Sequence, residues 1–542
     1  MAGVLEGAAR RHGGKPFLRI TRDTAERTGI KAGDLSYAEA WERTQALIDE
    51  FSGIADGGPQ RVALLLENRP EMFLHWLALN ALGISAAPLN PAWRSAELGY
   101  ALAHSEARLV IALPERVDEL REVLRAEGLK VPVCAPGEDI PKLPPRPGGG
   151  RLPENPADRE CALLYTSGTT GRPKGCMLSN RYFTMIGDWY TALGGLCALD
   201  EAGDCLITPL PMHHMNAMAC STMVMLVNGG CIVPLDRFHP RSWWREVRES
   251  GATIVHYLGV MPAILLKLYE DPAERRHGVR FGFGAGVGSR QHVPFEERFG
   301  FPLVEAWAMT ETGASAAIIA NREPRKRGTA CFGRPLPAVD LRIVDDRASE
   351  VDVDQPGELW VRHAGGDPRR GFFSGYFRDT AATEAAWEGG WFHTGDIVAR
   401  DADGDMHFID RKSNMIRRSG ENIAAVEVEG VLAEHDAVAE AGVVAAPDEI
   451  RGDEVFACIR LKGGSAHSGD ARSLVEELVR HCLKRLAYFK APGYVAFVDA
   501  LPHTATEKLD RAALKSLAAG LLDRGDCVDA RKLKRPVPSR AA

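Results

Sequence analysis

A run of hydroxyls, glycines and one lysine, YTSGTTGRPKGCMLSN at residues 165–180, is the stretch of this sequence best equipped to hold an anion. Gly168 and Gly171 permit positive φ and close approach of a ligand to the backbone. Thr166, Ser167, Thr169 and Thr170 add hydroxyl and amide donors, and Lys174 adds a cation. Folded concave, such consecutive N–H groups form a nest for phosphate. A polar surface turn has the same composition. The run is not a Walker loop, which needs GxxxxGK(S/T) opening a helix. Other segments carry chemistry-bearing residues, each with a plainer reading. His213 and His214 follow a strand-like run and suit a helix cap as well as a ligand contact. Thr310 and Glu311 form a pair common at helix starts. Asp396 ends the segment WFHTGD, where a carboxylate offers two acceptors or merely closes a turn. Lys508 lies in LPHTATEK, where an exposed lysine ordinarily serves solvation.

The elements around these residues are readable from periodicity. Residues 161–165 and 176–178 are apolar runs of strand length, so the glycine loop joins strand to strand. Ser179 and Asn180 are N-cap types for a helix starting near residue 181. Upstream, Ser36 and Glu39 form a capping box, and a strand at 61–66 precedes a helix at 70–81. This alternation predicts a mixed sheet with helices on both faces, and His75 and His104 fall in helical segments as packing or surface residues. Residues 136–157 are rich in proline and glycine and read as a linker. Residues 205–209 read as a strand and 217–226 as a small-residue helix. Residues 251–262 are a β-branched strand leading into a helix. The glycine-rich segment 281–288 resembles a dinucleotide fingerprint but fails GxGxxG at Val287 and at Ser289. Residues 333–361 are strand-rich. From 426 onward the pattern is that of a small α/β unit, ending in a basic tail over 526–542 that is expected to fray.

Bulk properties narrow the class. With 542 residues, 45% hydrophobic and 26% charged, the chain is globular and long enough for about three or four domain-sized units. A net charge of −7 argues against a general nucleic-acid binder. No apolar run is long enough for a membrane span, and the N-terminal segment has no signal-like apolar stretch, so a cytoplasmic location is expected. The 11 cysteines are scattered without a CxxC and there is no HExxH, which suits reduced, mostly buried thiols.

Taken in order, seven motifs between Thr166 and Lys508 resemble those of the acyl-adenylate-forming superfamily: acyl- and aryl-CoA synthetases, adenylation domains and luciferases. The wording around residues 413–422, SNMIRRSGEN, resembles the carnitine/crotonobetaine-CoA ligase branch. The resemblance implies an α/β fold: a large N-terminal domain of mixed sheets between helices with a β-rich subdomain, residues 1–411, and a small mobile α+β C-terminal domain, residues 412–542. It implies ATP, Mg²⁺ and coenzyme A as cofactor and co-substrates, a small carboxylic acid as substrate, and a monomer or homodimer. By residue, it puts ATP phosphates on Thr166, Ser167, Gly168, Thr169, Thr170, Gly171 and Lys174, and adenine against Gly284, Ala285 and Gly286. The segment Glu305, Ala306, Trp307, Ala308 and Met309 would stack on adenine through Trp307, with Thr310 on the α-phosphate and Glu311 on Mg²⁺. His214, which fits the motif better than His213, would stand beside the substrate carboxylate. Asp396 and Arg411 would take the ribose, Ser413 would be the hinge, and Gly420, Glu421 and Asn422 would meet the pantetheine arm. Lys508 would be the adenylation lysine. Tyr257 to Met261 would be pocket wall.

Several positions depart from the pattern. Trp307 replaces the usual tyrosine, as in acetate-activating members, and Ala308 replaces a glycine, trimming the acyl pocket. Ser413 stands where many relatives have Asp or Lys, and Glu507 replaces the glycine before the lysine. Two other functions fit the same motifs: loading of a carrier-protein pantetheine, or a nucleotide-binding regulator that has lost catalysis. A cation–π site at Trp243 and Trp244 would suit a trimethylammonium substrate.

Overall fold

The computed structural model describes all residues except 144–149, 167–172, 201–202, 419–420, 449–451, 464–470, 505–507 and 535–542. Two sheets organise the first three quarters of the chain. One has seven strands, with Glu160–Thr166 and Lys174–Ser179 antiparallel and the strands Gln60–Leu65, Ile84–Pro88 and Leu109–Ala112 parallel. The other has thirteen. Its parallel centre, which includes Cys205–Thr208, Ile254–Leu258, Phe281–Ala285 and Leu303–Trp307, continues into antiparallel strands up to Met406–Arg411. The mixed sheets with covering helices are as the sequence predicts.

Strand alternation explains the layering. Val62 and Leu64 face a core that also holds Leu206, Ile254 and Phe281 of the larger sheet. The helices Pro70–Ala81 and Asn180–Thr191 lie in that same core, with Trp76 and Phe183 rings 5.3 Å apart. Residues Met72 to Asn80 are buried without interruption, as expected of a helix between two sheets. Ala63 and Leu65 face the other way, onto Leu98, Leu102 and Leu120. The far side of the larger sheet packs Ile207, Val255 and Tyr257 against Phe295 and Phe299. Each fully buried large side chain of this kind contributes about 1.5–3 kcal/mol. The capping box at Ser36 and Glu39 is present, and Ser179 caps its helix by accepting the Tyr182 amide at 3.3 Å.

Three local expectations need correcting. The segment following His214 is not a plain helix: Asn216–Ser221 is a π-helical stretch that runs into the α-helix Thr222–Asn228. Its two end residues, Asn216 and Ser221, both bond Nδ1 of buried His256 (3.2 and 2.8 Å). Trp243 is fully buried in the core and Trp244 stacks on His277, so neither offers a ligand-facing ring. The basic tail is anchored as far as residue 534. Val528–Asp529 pairs with Tyr494–Phe497, and Lys534 Nζ lies 2.5 Å from Glu454 Oε1 with both side chains fully buried. Finally, all 11 cysteines are free thiols, ten buried and Cys527 partly so, in line with expectation.

A third sheet of six strands is built wholly from residues after Ile416. Val455, Ala457 and Ile459 face one cluster, and Phe456 and Cys458 the other, so each face of the sheet has its own core. The Arg418 side chain bonds Glu454 at 2.9 and 3.0 Å, which makes a buried triad of two cations and one carboxylate with Lys534.

Glu454→Ala takes the shared carboxylate from two buried cations, Arg418 and Lys534, and should cost about 3–5 kcal/mol, read from urea denaturation. A second expectation concerns pH. Burial pushes His256 down to about 3. The unfolded chain therefore takes up a proton below about pH 6.5 that the folded chain refuses, and stability falls as pH drops from there. His256→Gln should remove roughly 2 kcal/mol of the stability lost between pH 7 and pH 5, measured by the same denaturation.

Candidate active site

The site gathers where the parallel strands end. Gly284 sits beside Tyr257 on one neighbouring strand and Glu305 on the other. A Cβ on Gly284 would lie 2.3 Å from the Tyr257 carbonyl oxygen, and one on Gly259 would lie 1.7 Å from that of Gly286. Gly286 itself takes φ +78°, a conformation that glycine tolerates. Ala285 and Gly286 are exposed on the resulting shelf. Glu305 turns its carboxylate inward: Tyr257 Oη donates to it at 2.5 Å and the Gly286 amide at 2.8 Å. Burial raises its pKa, and those donors pull it back. The Glu305 side chain thus braces the shelf.

Beyond Glu305 the chain presents Ala306 and Ala308 on one side and buries Trp307. Trp307 Nε1 donates to Asp396 Oδ2 at 2.8 Å. Asp396 and Arg411 are direct partners across an antiparallel pair, which brings two motifs 15 residues apart face to face. Arg411 Nε lies 2.7 Å from Asp396 Oδ1 but out of line for a hydrogen bond, so this buried oxygen has no aligned donor among the described residues. Burial raises the Asp396 pKa, offset first by Arg411 and then by the Trp307 hydrogen bond. An acceptor so placed suits a hydroxyl.

Met309 and Thr310 are half-buried in the turn, where the Met309 amide donates to Thr312 Oγ1 at 2.9 Å. Glu311 is buried and accepts the Tyr376 hydroxyl at 2.9 Å. No cation pairs with Glu311 among the described residues. An anionic oxygen set with only a neutral donor fits a hard divalent ion such as Mg²⁺. Lys174 Nζ lies 4.8 Å from the centre of the Tyr376 ring, which joins the lysine after the glycine loop to Glu311 through one aromatic residue. Thr166 and Lys174 are the register partners that flank the connection between the two antiparallel strands, so the loop joins strand to strand as predicted. Tyr100 Oη donates to Pro173 O at 3.0 Å, and His104 stacks on Tyr100, so His104 is a packing residue. Ser167, Gly168, Thr169, Thr170 and Gly171 lie outside the described residues.

Across the cleft stand His213 and His214, with ring centres 4.4 Å apart. Burial pushes His214 down to about 4, helped by the charge of Lys508, and its Nε2 is buried without a partner among the described residues. His213 is held well below the ordinary histidine range by burial and by His214. Lys508 is solvent-accessible but walled by protein. Desolvation in this cleft, then the nearby Arg411 charge, lower its pKa. Its loop is closed by the Thr504 amide donating to the Lys508 carbonyl at 2.7 Å, while Glu507 lies outside the described residues. Ser413 falls in the short turn Lys412–Asn414. The backbones of Glu421 and Asn422 pair with Arg418 and Arg417, and Gly420 lies outside the described residues.

A cavity of about 70 Å³ opens beside Gly284 and Ala308, with Trp189, Met215, Cys220 and Phe283 among its walls. Sequence reasoning anticipated Ala308, and named Met261 as wall where Met215 lines the cavity instead. It missed Trp189, Cys220 and Tyr376. Tyr376 lies on the two-residue strand Gly375–Tyr376, which pairs with Met177 and Cys176 and is too short to leave a pattern in the sequence, and Trp189 and Cys220 lie on helical stretches whose inward face is indistinguishable from ordinary core.

Comparison with known proteins accords with this geometry. Residues 5–377 match the AMP-binding enzyme family, and residues 427–508 match the AMP-binding enzyme C-terminal domain. A sulfoacetate–CoA ligase of Cupriavidus necator is 33% identical over 466 residues, covering 84% of this chain and 87% of that protein. A crotonobetaine/carnitine–CoA ligase of Citrobacter koseri is 29% identical over 530 residues, covering 93% and 99%. Among solved structures, ATP-bound MatB from Rhodopseudomonas palustris superposes with a TM-score of 0.77 at 24% identity, over 95% of this chain and 98% of that one. The o-succinylbenzoate CoA synthetase of Bacillus subtilis with its acyl-adenylate intermediate gives 0.76 at 25% identity, over 94% and 97%. The chain belongs to the AMP-binding enzyme family and is an AMP-forming acid–thiol ligase.

Proposed function

We propose that this enzyme activates a small carboxylic acid with ATP, forming an acyl-adenylate and pyrophosphate, and then transfers the acyl group to coenzyme A with release of AMP. The observation that carries this reading is the meeting of Lys508, Arg411 and neutral His214 at one cleft, from segments far apart in sequence. The acid's carboxylate attacks the α-phosphorus. The P–O bond to pyrophosphate breaks as the new one forms, so two anions must be brought together. Lys508 and Lys174 offset that repulsion, and Thr310 donates to the α-phosphate. Glu311 would hold Mg²⁺, which supplies charge neutralisation at phosphate oxygens when bound. His214, neutral at pH 7, excludes water from the carboxylate without placing a second cation beside it. Trp307 and the Gly284–Ala285–Gly286 shelf would take the adenine, and Asp396 with Arg411 the ribose.

In the second step the coenzyme A sulfur, its proton lost to solvent, attacks the acyl carbon, and AMP leaves with the C–O bond electrons. This step needs the lysine out of the way. We place the domain boundary at 411/412 and the hinge at Ser413, with the Gly420, Glu421 and Asn422 segment meeting the pantetheine arm after rotation. The relatives' names point to different acids, one a sulfonate and the other a quaternary ammonium compound, so the class of acid is a separate question.

Lys508→Ala should cut adenylate formation by about 10²–10³ in rate, or 3–4 kcal/mol, while sparing thioester formation from supplied acyl-adenylate. Equal loss in both half-reactions removes the role given to Lys508. Ser413→Pro should slow coenzyme A consumption more than pyrophosphate release. AMP release across a panel of acids, with and without free coenzyme A, separates this reading from carrier-protein loading and from a regulator without catalysis.

A further inference from the structure

The cavity beside Ala308 holds about 70 Å³, well under the roughly 300–1,000 Å³ of a drug-sized site, so it admits only a short acyl tail. No Lys, Arg, His, Asp or Glu lines it. Three side chains on its walls carry a hydrogen-bond donor: Trp189, Cys220 and Asn216. Trp189 Nε1 is sealed away, with essentially no accessible surface. The Cys220 thiol donates to Met215 Sδ at 3.5 Å. Asn216 is half-buried, and its Nδ2 has no partner among the described residues and, unlike Trp189 Nε1, keeps accessible surface.

The buried ring behind Asn216 decides which end of its amide meets the cavity. Burial keeps His256 neutral, so its imidazole carries one proton. Asn216 Oδ1 lies 3.2 Å and Ser221 Oγ 2.8 Å from Nδ1, and Tyr190 Oη lies 3.0 Å from Nε2. The Ser221 hydroxyl has its own acceptor, the Asn216 carbonyl oxygen, at 3.2 Å. With the proton on Nδ1, Asn216 Oδ1 and Ser221 Oγ share it and the Tyr190 hydroxyl donates to Nε2, so every donor of this cluster is used. Turning the amide over would set Nδ2 against Nδ1 and move the proton to Nε2. The fully buried Tyr190 hydroxyl would then face a donor, with no acceptor for its own proton among the described residues. The network therefore holds Oδ1 inward and leaves the Nδ2 amino group on the cavity side.

We propose that Asn216 is the specificity-determining residue of the acyl pocket, its amino group donating to an uncharged oxygen acceptor, a carbonyl or an ether, on the tail of a short acid. This rests on the adenylation reading above. A hydrocarbon tail would expel water from the amino group and offer no hydrogen bond in return. Sites built around such a donor reject the analogue that lacks the acceptor. A sulfonate or second carboxylate would bring a charge into a lining without a cation. A quaternary ammonium group would meet an N–H where it needs a carboxylate or a ring face.

The test pairs acids of nearly equal shape, 4-oxopentanoate with 4-methylpentanoate and methoxyacetate with butanoate, and follows pyrophosphate release. In the wild-type enzyme the oxygen-bearing acid should lead by about tenfold or more in kcat/KM in at least one pair. Asn216→Leu removes the amide at nearly constant volume, and Ser221 still accepts the His256 proton. In that variant the ratio should fall to about one, whereas a merely structural role would lower both acids together. An unchanged ratio in a folded Asn216→Leu overturns the assignment. So do wild-type ratios at or below one in both pairs, a measurement that needs no variant. Preference for sulfoacetate or for a betaine over both oxygen-bearing acids also overturns it and leaves adenylation standing. Pyrophosphate release with none of these acids or of the wider panel removes both readings together.

Discussion

A buried carboxylate, Asp396, sets the terms for the rest of the site. Taking an anion out of water is unfavourable by several kcal/mol unless it is paired and hydrogen-bonded. Asp396 meets that requirement with Trp307 at the end of the central parallel strands and with Arg411 across the antiparallel hairpin. The parallel and antiparallel halves of the large sheet are therefore tied at one point. Trp307 cannot turn without orphaning the carboxylate, and Arg411 is held where its charge reaches Lys508. The glycine shelf beside it depends on a second buried carboxylate, Glu305, which fixes the backbone from below.

Much of this was legible because phosphate and ribose chemistry is carried by short segments whose residue types are unusual together. The strand-to-strand glycine loop, the Trp307 to Glu311 segment and the Asp396 and Arg411 pair all stand out in the sequence. The layers of the fold were legible for a related reason: period-two alternation, as at residues 62–65, reports which sheet face meets which core. What stayed hidden acts through tertiary placement. Nothing near Tyr376 says that its hydroxyl will reach Glu311, 65 positions earlier. Glu305 looked like part of the nucleotide segment, and only the folded chain shows its side chain spent on Tyr257 and the Gly286 amide. The tail looked like a frayed basic end because a lysine's usual place is water; a buried carboxylate on a distant strand reverses that.

Charge is partitioned sharply between the two ends of the cleft. One end holds Lys174, Glu311, Asp396, Arg411 and Lys508, where opposite signs offset one another. The inner end is apolar or neutral, and even its histidines are kept uncharged by burial. A neutral lining of that kind discriminates by shape and by neutral hydrogen bonds rather than by charge. Such sites separate binding strength from selectivity, because the charged groups act on every substrate alike.

The π-helical stretch Asn216–Ser221 bears on how such selectivity changes over time. A π-turn is in effect one surplus residue carried by a helix. Cys220, within this stretch, and Met215 and Asn216, at its start, line the cavity. Losing a single codon here would restore ordinary winding and rotate the downstream wall by about 100°. A lineage would then swap its inner lining in one step, without touching the nucleotide machinery.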